Sequence, residues 1–349
     1  QAISTRVGAV TKCGLEDLVR RRYGKIAALF VLFSVVLVNV LTFAADLEGG
    51  GAALKLLSGV DYRLWVVPLA ALSLMLLILN SFRKLERILI YIPLAFLSYI
   101  IAAVLARPDW GAVLRDSLLP HFHSGSAYSA GAIALLGTTL TAYAYVWQEL
   151  ETSEDAPPLR RLGLVQVDAT IGAVCAGITF WFITIATGAT LGVHHRTVET
   201  ADQAAQALAP LAGHFASTLF GVGLLGSALL ALPVLLATSA YIVTEMFGWR
   251  GKLDAKFFQA RRFYWIMIVI CIIGCAIALA GVQPIRLLFI SSIAGGIATP
   301  ISLVYLLLTA CDERVVKEYG LPLWLRIGGW ATTAIVTIAA AIFLYQTFV

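Results

Sequence analysis

Thr138, Thr139, Thr141, Tyr143, Tyr145 and Gln148 place hydroxyl and amide groups in the otherwise apolar run G-A-I-A-L-L-G-T-T-L-T-A-Y-A-Y-V-W-Q-E, between Gly131 and Glu149. Buried in hydrocarbon, each polar group costs free energy unless it meets a partner, water or an ion. These side chains are therefore not expected to face lipid together. The threonine hydroxyls and Gly137 compete with the helix for its own carbonyls, so the spacing predicts unwinding near Thr138 to Thr141 that turns backbone oxygens toward a cavity. Unwound helices near the membrane midplane coordinate ions in many secondary transporters. A plainer reading also stands, in which these groups only bond across to neighbouring helices.

A second polar constellation, Asp46-Leu-Glu48-Gly-Gly-Gly51, follows the long apolar run Ala27 to Ala45. A carboxylate at the bilayer centre costs roughly 2.5–3.5 kcal/mol on insertion scales and is by default a functional candidate. Two readings are open: an intramembrane functional pair, or wet acids at an outer helix end where three glycines begin a loop.

The elements that position these groups follow from composition. The hydrophobic share is 60% and the charged share 13%, with mean hydropathy +0.88, against about 45–50% apolar residues in soluble chains. The expected class is an all-α polytopic membrane protein, and the bilayer is its first partner. Stretches of about 20 apolar residues fall at 26–46, 64–82, 88–107, 129–149, 168–192, 212–247, 263–282, 285–311 and 325–348, nine spans in one transmembrane domain over 1–349. Gln1 to Val10 reads as the tail of a helix whose beginning lies upstream, which implies a missing first helix.

Lys and Arg concentrate in cytoplasmic loops. Placing segment 11–25 in the cytoplasm puts 19 of the 25 basic residues on that side, leaving Lys55, Arg63, Arg107, Arg115, Arg196 and Arg286 opposite. The net charge of +5 then reflects orientation in a bacterial inner membrane and points to no nucleic-acid partner. The loop 149–164 reads as a linker, and V-E-T-A-D-Q-A-A-Q-A-L in the outer loop before Pro210 as a surface helix.

Other motif-like strings carry less. Cys13, Cys175, Cys271, Cys275 and Cys311 lack zinc-ribbon spacing and read as small apolar fillers. Gly221-Val-Gly-Leu-Leu-Gly226 fits a dinucleotide fingerprint but lies mid-span with no preceding strand, so close helix packing explains it better. His121-Phe-His123 and His194-His195 have no companion carboxylate cluster. No hydrolase motif occurs, so no enzyme and no resident cofactor are expected.

The order of segments resembles the NRAMP family of divalent-metal transporters over most of the chain. R-V-G-A-V-T-K-C-G-L-E-D-L-V-R-R-R-Y-G is similar to that family's connection from second to third helix, and Phe43-Ala-Ala-Asp46-Leu to its acidic third helix. Gly137-Thr-Thr-Leu-Thr141 sits where its broken sixth helix begins, and Leu219-Phe-Gly-Val-Gly-Leu-Leu resembles its eighth. The resemblance implies a LeuT-like inverted-repeat transporter fold, with the chain holding the end of the family's second helix through its eleventh. It also implies a cation site in which Thr138 offers its carbonyl and Thr141 its hydroxyl or a bound water. Tyr143 and Gln148 would shape the inner exit, and Asp46 and Glu48 would supply negative potential or a proton acceptor.

The departures bear on substrate. The family's Asp-Pro-Gly-Asn is absent, and Thr141 stands where the family carries Met, with Ala142 and Tyr143 in place of its Pro and His. Sulfur favours transition metals, whereas oxygen donors suit Mg²⁺, so the pattern resembles the NRAMP-related magnesium branch, with Mn²⁺ the second candidate. Gly49 replaces an expected acid and Leu229 a glutamine, which makes proton coupling doubtful. The alternatives are an NRAMP-like carrier of a non-metal solute and a non-transporting sensor or partner protein.

Overall fold

The computed structural model describes residues 1–79, 93–119, 125–192, 198–249, 251, 253 and 257–348. His121, His123, His194 and His195, with Arg83, Lys84, Arg87, Arg196, Arg250, Lys252 and Lys256, lie outside the described residues.

The described residues are helical with no strand. A short helix α1 (Ala2–Thr11) ends on Lys12 in the left-handed conformation, and α2 (Leu15–Tyr23) follows. The next helix, α3 (Lys25–Ser58), is the longest. After it come α4 (Arg63–Ile78), α5 (Pro93–Leu105) and α6 (Trp110–Leu118), the last capped by the Asp109 carboxylate, which accepts from the amides of Gly111 and Ala112. The polar segment forms α7 (Ser126–Thr139) and α8 (Ala142–Asp155). Beyond them lie α9 (Leu162–Thr190), α10 (Ala216–Phe247), α11 (Arg261–Ala278), α12 (Pro284–Cys311) and α13 (Leu323–Phe348). The helix expected before Pro210 is present as Ala201–Ala205, opened by a capping box between Thr200 and Gln203.

Among the described residues seven stretches are long and apolar enough to cross a bilayer, and Arg63–Ile78 and Phe96–Leu105 are shorter apolar helices at two further expected positions. All nine positions read from hydropathy therefore hold apolar helices. One boundary differs in kind. Gly49, Gly50 and Gly51 do not open a loop, because α3 runs on to Ser58. The glycines are there for contact: a Cβ on Gly50 would lie 3.0 Å from a Leu69 methyl and 3.1 Å from Ala228 Cβ, and one on Gly51 would lie 2.7 Å from the Tyr62 carbonyl.

Lipid tails remove the hydrophobic drive between helices, so close contact of small residues and buried hydrogen bonds must hold the bundle. At its centre α3 runs along α10, with α11, α12 and α4 around it. Asn39 donates to the Ser239 hydroxyl across the α3–α10 seam at 3.0 Å. Phe43, Leu47, Leu232, Leu235 and Phe263 are fully buried at this centre. Gly221 lies against Ala53 and Leu57 of α3, and Gly223 against Phe96 of α5, so the glycine string of α10 serves packing. A second cluster joins Tyr99 and Ala102 to Ile185, Ala186 and Leu208. At the rim, only 17% of the most apolar window is buried in α9 and in α13, against 44% in the span ending at Phe247, so these two present most of their surface to lipid.

Candidate functional site

The helix that begins at Ser126 stops at Thr139 and restarts at Ala142, so the predicted unwinding falls on Leu140 (φ −111°, ψ 38°) and Thr141 (φ −61°, ψ 131°). An extended residue between two helical turns leaves carbonyls at the end of α7 and amides at the start of α8 without helical partners. Most of the partners these groups find are local. The Leu140 amide donates to the Leu136 carbonyl at 2.9 Å and the Ala144 amide to the Thr141 carbonyl at 3.1 Å. Thr141 does not cap α8 with its side chain. Its hydroxyl turns back and reaches the Thr138 carbonyl at 2.9 Å and the Gly137 carbonyl at 3.2 Å.

The two atoms assigned to the ion, the Thr138 carbonyl and the Thr141 hydroxyl, are thus brought together and bonded to each other. A carbonyl and a hydroxyl each keep a further lone pair. Thr138 is exposed and Thr141 half-buried, so the pair lies at an accessible edge of the break. The carbonyl end of α7 carries the negative end of its helix dipole, a suitable field for a cation.

The other assigned residues divide. Asp46, half-buried on α3, lies within electrostatic reach of the Tyr143 hydroxyl on α8, so these two share one region. Glu48 is two residues further along the helix and points elsewhere. It is 0% exposed, neither carboxylate oxygen has a hydrogen-bond partner, and Arg63 at the start of α4 is the cation acting on it. Gln148 is half-buried on α8, with its backbone carbonyl accepting from the Thr152 hydroxyl at 2.6 Å. Among the described residues no group of three or more His, Cys, Asp or Glu is placed to hold a metal. The groups the break itself brings together are oxygens, the Thr138 carbonyl and the Thr141 hydroxyl. Cys271 is buried, its thiol 3.8 Å from the Ala70 carbonyl.

Several contacts at the site escape a sequence reading, those of Gly137 and Tyr145 included. Gly137 is buried where α7 meets α12, and a Cβ there would strike the Ser292 carbonyl and the Gly296 backbone. The Thr299 hydroxyl of α12 donates to the Leu140 carbonyl at 3.2 Å, and the Tyr145 and Ser302 hydroxyls are bonded to each other. Glu149 of α8 is fully buried with both oxygens unpartnered. The Glu245 carboxylate, near the end of α10, lies against Gly14 at the start of α2, where a Cβ would strike it. Beside it Glu16 is buried, and burial first, then the Glu245 carboxylate, push its carboxyl up to about 9, partly offset by Arg20. The signal available for these residues was only polarity in an apolar context, shared with many threonines that merely bond back to their own helix.

Comparisons with known proteins place this geometry. Residues 1–346 match the family described as natural resistance-associated macrophage protein-like. A divalent metal cation transporter, MntH, of Deinococcus radiodurans is 28% identical over 96% of this chain and 77% of its own length. MntH of Bacillus subtilis is 22% identical over 100% of this chain and 81% of its own. Among solved structures, the Eremococcus coleocola manganese transporter in complex with an aromatic bis-isothiourea substituted compound superposes with a TM-score of 0.70. It shares 19% identity and covers 98% of this chain and 76% of that one. The fold is the LeuT-like inverted-repeat arrangement of multi-pass membrane transporters. The chain belongs to the natural resistance-associated macrophage protein-like (Nramp) family.

Proposed function

We propose that the protein is a secondary transporter that moves a divalent metal cation across the membrane by alternating access, with the cation taken at the break between α7 and α8. The observation that carries this reading is the break itself, at Leu140 and Thr141, with the Thr138 carbonyl and Thr141 hydroxyl at its accessible edge. The relatives named as divalent metal cation transporters support the class of substrate.

Within that class we take Mg²⁺ as the leading substrate and Mn²⁺ as the second. The support is chemical: Thr141 supplies oxygen where the family resemblance places a thioether, and hard oxygen donors suit a cation that keeps part of its water shell. Tyr143 and Gln148 line the inner exit. Asp46 draws the cation by its charge, and Glu48 acts as a further negative group or proton acceptor. Segment 11–25 faces the cytoplasm, following the distribution of basic residues.

Uptake into proteoliposomes carrying the purified chain tests the reading with Mg²⁺, Mn²⁺, Ca²⁺ and a proton-sensitive dye in parallel. Saturable uptake of Mg²⁺ or Mn²⁺ that falls at least roughly tenfold in Thr141→Ala and in Asp46→Asn is expected. Absence of uptake for either ion, or full activity in both variants, overturns the assignment.

A further inference from the structure

Hydroxyl contacts with one neighbouring helix hold both sides of the break. The Ser302 hydroxyl lies 3.1 Å from the Thr299 carbonyl, which accepts from it, and it is also hydrogen-bonded to the Tyr145 hydroxyl. Thr299 in turn gives its proton to the Leu140 carbonyl. Tyr145 of α8 is thereby linked through Ser302 and Thr299 of α12 to the last carbonyl before Thr141. Tyr145 is 5% exposed and Ser302 and Thr299 are 0% exposed, so water does not compete with the chain.

The link fixes more than one oxygen. A trans peptide is planar, so holding the Leu140 carbonyl toward α12 turns the Thr141 amide away from it and sets the plane from which the Thr141 side chain departs. That side chain is the one lying over the Gly137 and Thr138 carbonyls. Leu140 is half-buried at the break, and Thr299 is the partner of its carbonyl.

We infer that Thr299 is a positioning residue for the transported cation: its hydroxyl occupies the Leu140 carbonyl and orients the Leu140–Thr141 peptide so that the Thr138 and Thr141 oxygens are presented together. The inference rests on the reading of the break as the cation site. Without that hydroxyl the Leu140 carbonyl is released, the peptide plane is free to rotate, and part of the binding energy goes into reordering the break.

Mn²⁺ binding to the purified full chain by calorimetry, with Mn²⁺ uptake kinetics in proteoliposomes, tests this in wild type, Thr299→Val and Thr299→Ser. Thr299→Val should raise Kd and KM roughly tenfold, the loss set by about one neutral hydrogen bond, with kcat within about twofold. Thr299→Ser restores the hydroxyl and should restore both constants. Thr299→Ala provides the same deletion if the valine variant does not fold. Wild type that binds neither Mn²⁺ nor Mg²⁺ refutes the proposed function itself; where only Mg²⁺ binds, the same variants are read with Mg²⁺. Wild type that binds Mn²⁺, with an unchanged Kd in Thr299→Val and Thr299→Ala, overturns this inference alone, as does failure of Thr299→Ser to rescue.

Discussion

Adding one methyl group at Gly137 should separate the two helices that shape the break. A Cβ there would lie 2.9 Å from Gly296 Cα and closer still to the Ser292 carbonyl and the Gly296 amide, whereas carbon atoms rest about 3.5–4.0 Å apart. These are backbone atoms, so no side-chain rotation relieves the clash, and the backbones must part by at least about 0.6–1 Å. The bond from Thr299 to the Leu140 carbonyl, now 3.2 Å, then lengthens to about 3.8 Å or more, beyond hydrogen-bond range. Overpacking costs roughly 1–3 kcal/mol and the lost bond about 0.5–1.5 kcal/mol. The better helix propensity of alanine returns roughly 0.8–1 kcal/mol. The net loss is about 0.5–3.7 kcal/mol, or several degrees of melting temperature at about 2–4 °C per kcal/mol. Gly131→Ala on the same helix is the control, because nothing lies within 4 Å of a Cβ there. Tryptophan-fluorescence melting in detergent, alongside Mn²⁺ uptake, reads both effects. If Gly137→Ala melts and transports like Gly131→Ala, the close approach of α7 and α12 is refuted.

Three further outcomes follow from particular side chains. Glu16 has a folded-state carboxyl raised from 4.5 to about 9, so its protonated form stabilises the fold fully below about pH 4.5, and that stability is lost as pH rises through about 9. Glu16→Gln should flatten the melting profile across this window and raise stability at pH 8; an unchanged slope counts against the buried position. Tyr241→Phe removes a hydroxyl that donates to Glu154 at 2.6 Å and accepts from the Leu253 amide at 2.9 Å. It should cost about 1–2 kcal/mol and increase labelling of a cysteine placed at Ser153, and equal labelling contradicts a tie on the end of α8. Arg22→Ala breaks an ion pair with Asp312 at the surface, where such pairs contribute at most about 1 kcal/mol, so a melting shift above a few degrees would show that the pair does more.

The spans and the break were legible in the sequence for the same reason: bilayer burial makes a long apolar run unambiguous and a threonine cluster within it conspicuous. The extent of α3 was not. Gly49, Gly50 and Gly51 carry the composition of a loop, and only the approach of Leu69, Ala228 and the Tyr62 carbonyl shows why a helix needs them bare. Asp46 and Glu48 likewise read as one acidic pair, yet two residues of helix turn them to different surroundings, one toward Tyr143 and one into an unpartnered pocket. The partners of the break lie 157 and 159 residues away, on α12. Thr299 and Ser302 look like ordinary helix threonine and serine until tertiary packing sets them against Leu140 and Tyr145. The approach of Glu245 to Gly14 is hidden in the same way, since it joins groups more than 200 residues apart.

Transport by this route requires the cation to sit at the break, and anomalous diffraction from crystals of the full chain soaked in Mn²⁺ tests that most directly. An anomalous peak within coordination distance of the Thr138 carbonyl and the Thr141 hydroxyl or its bound water, abolished in Thr141→Ala, is the predicted result. A peak at Glu48 or Glu149 with the break empty, or an α7–α8 segment that closes into one continuous helix in the loaded protein, would contradict it.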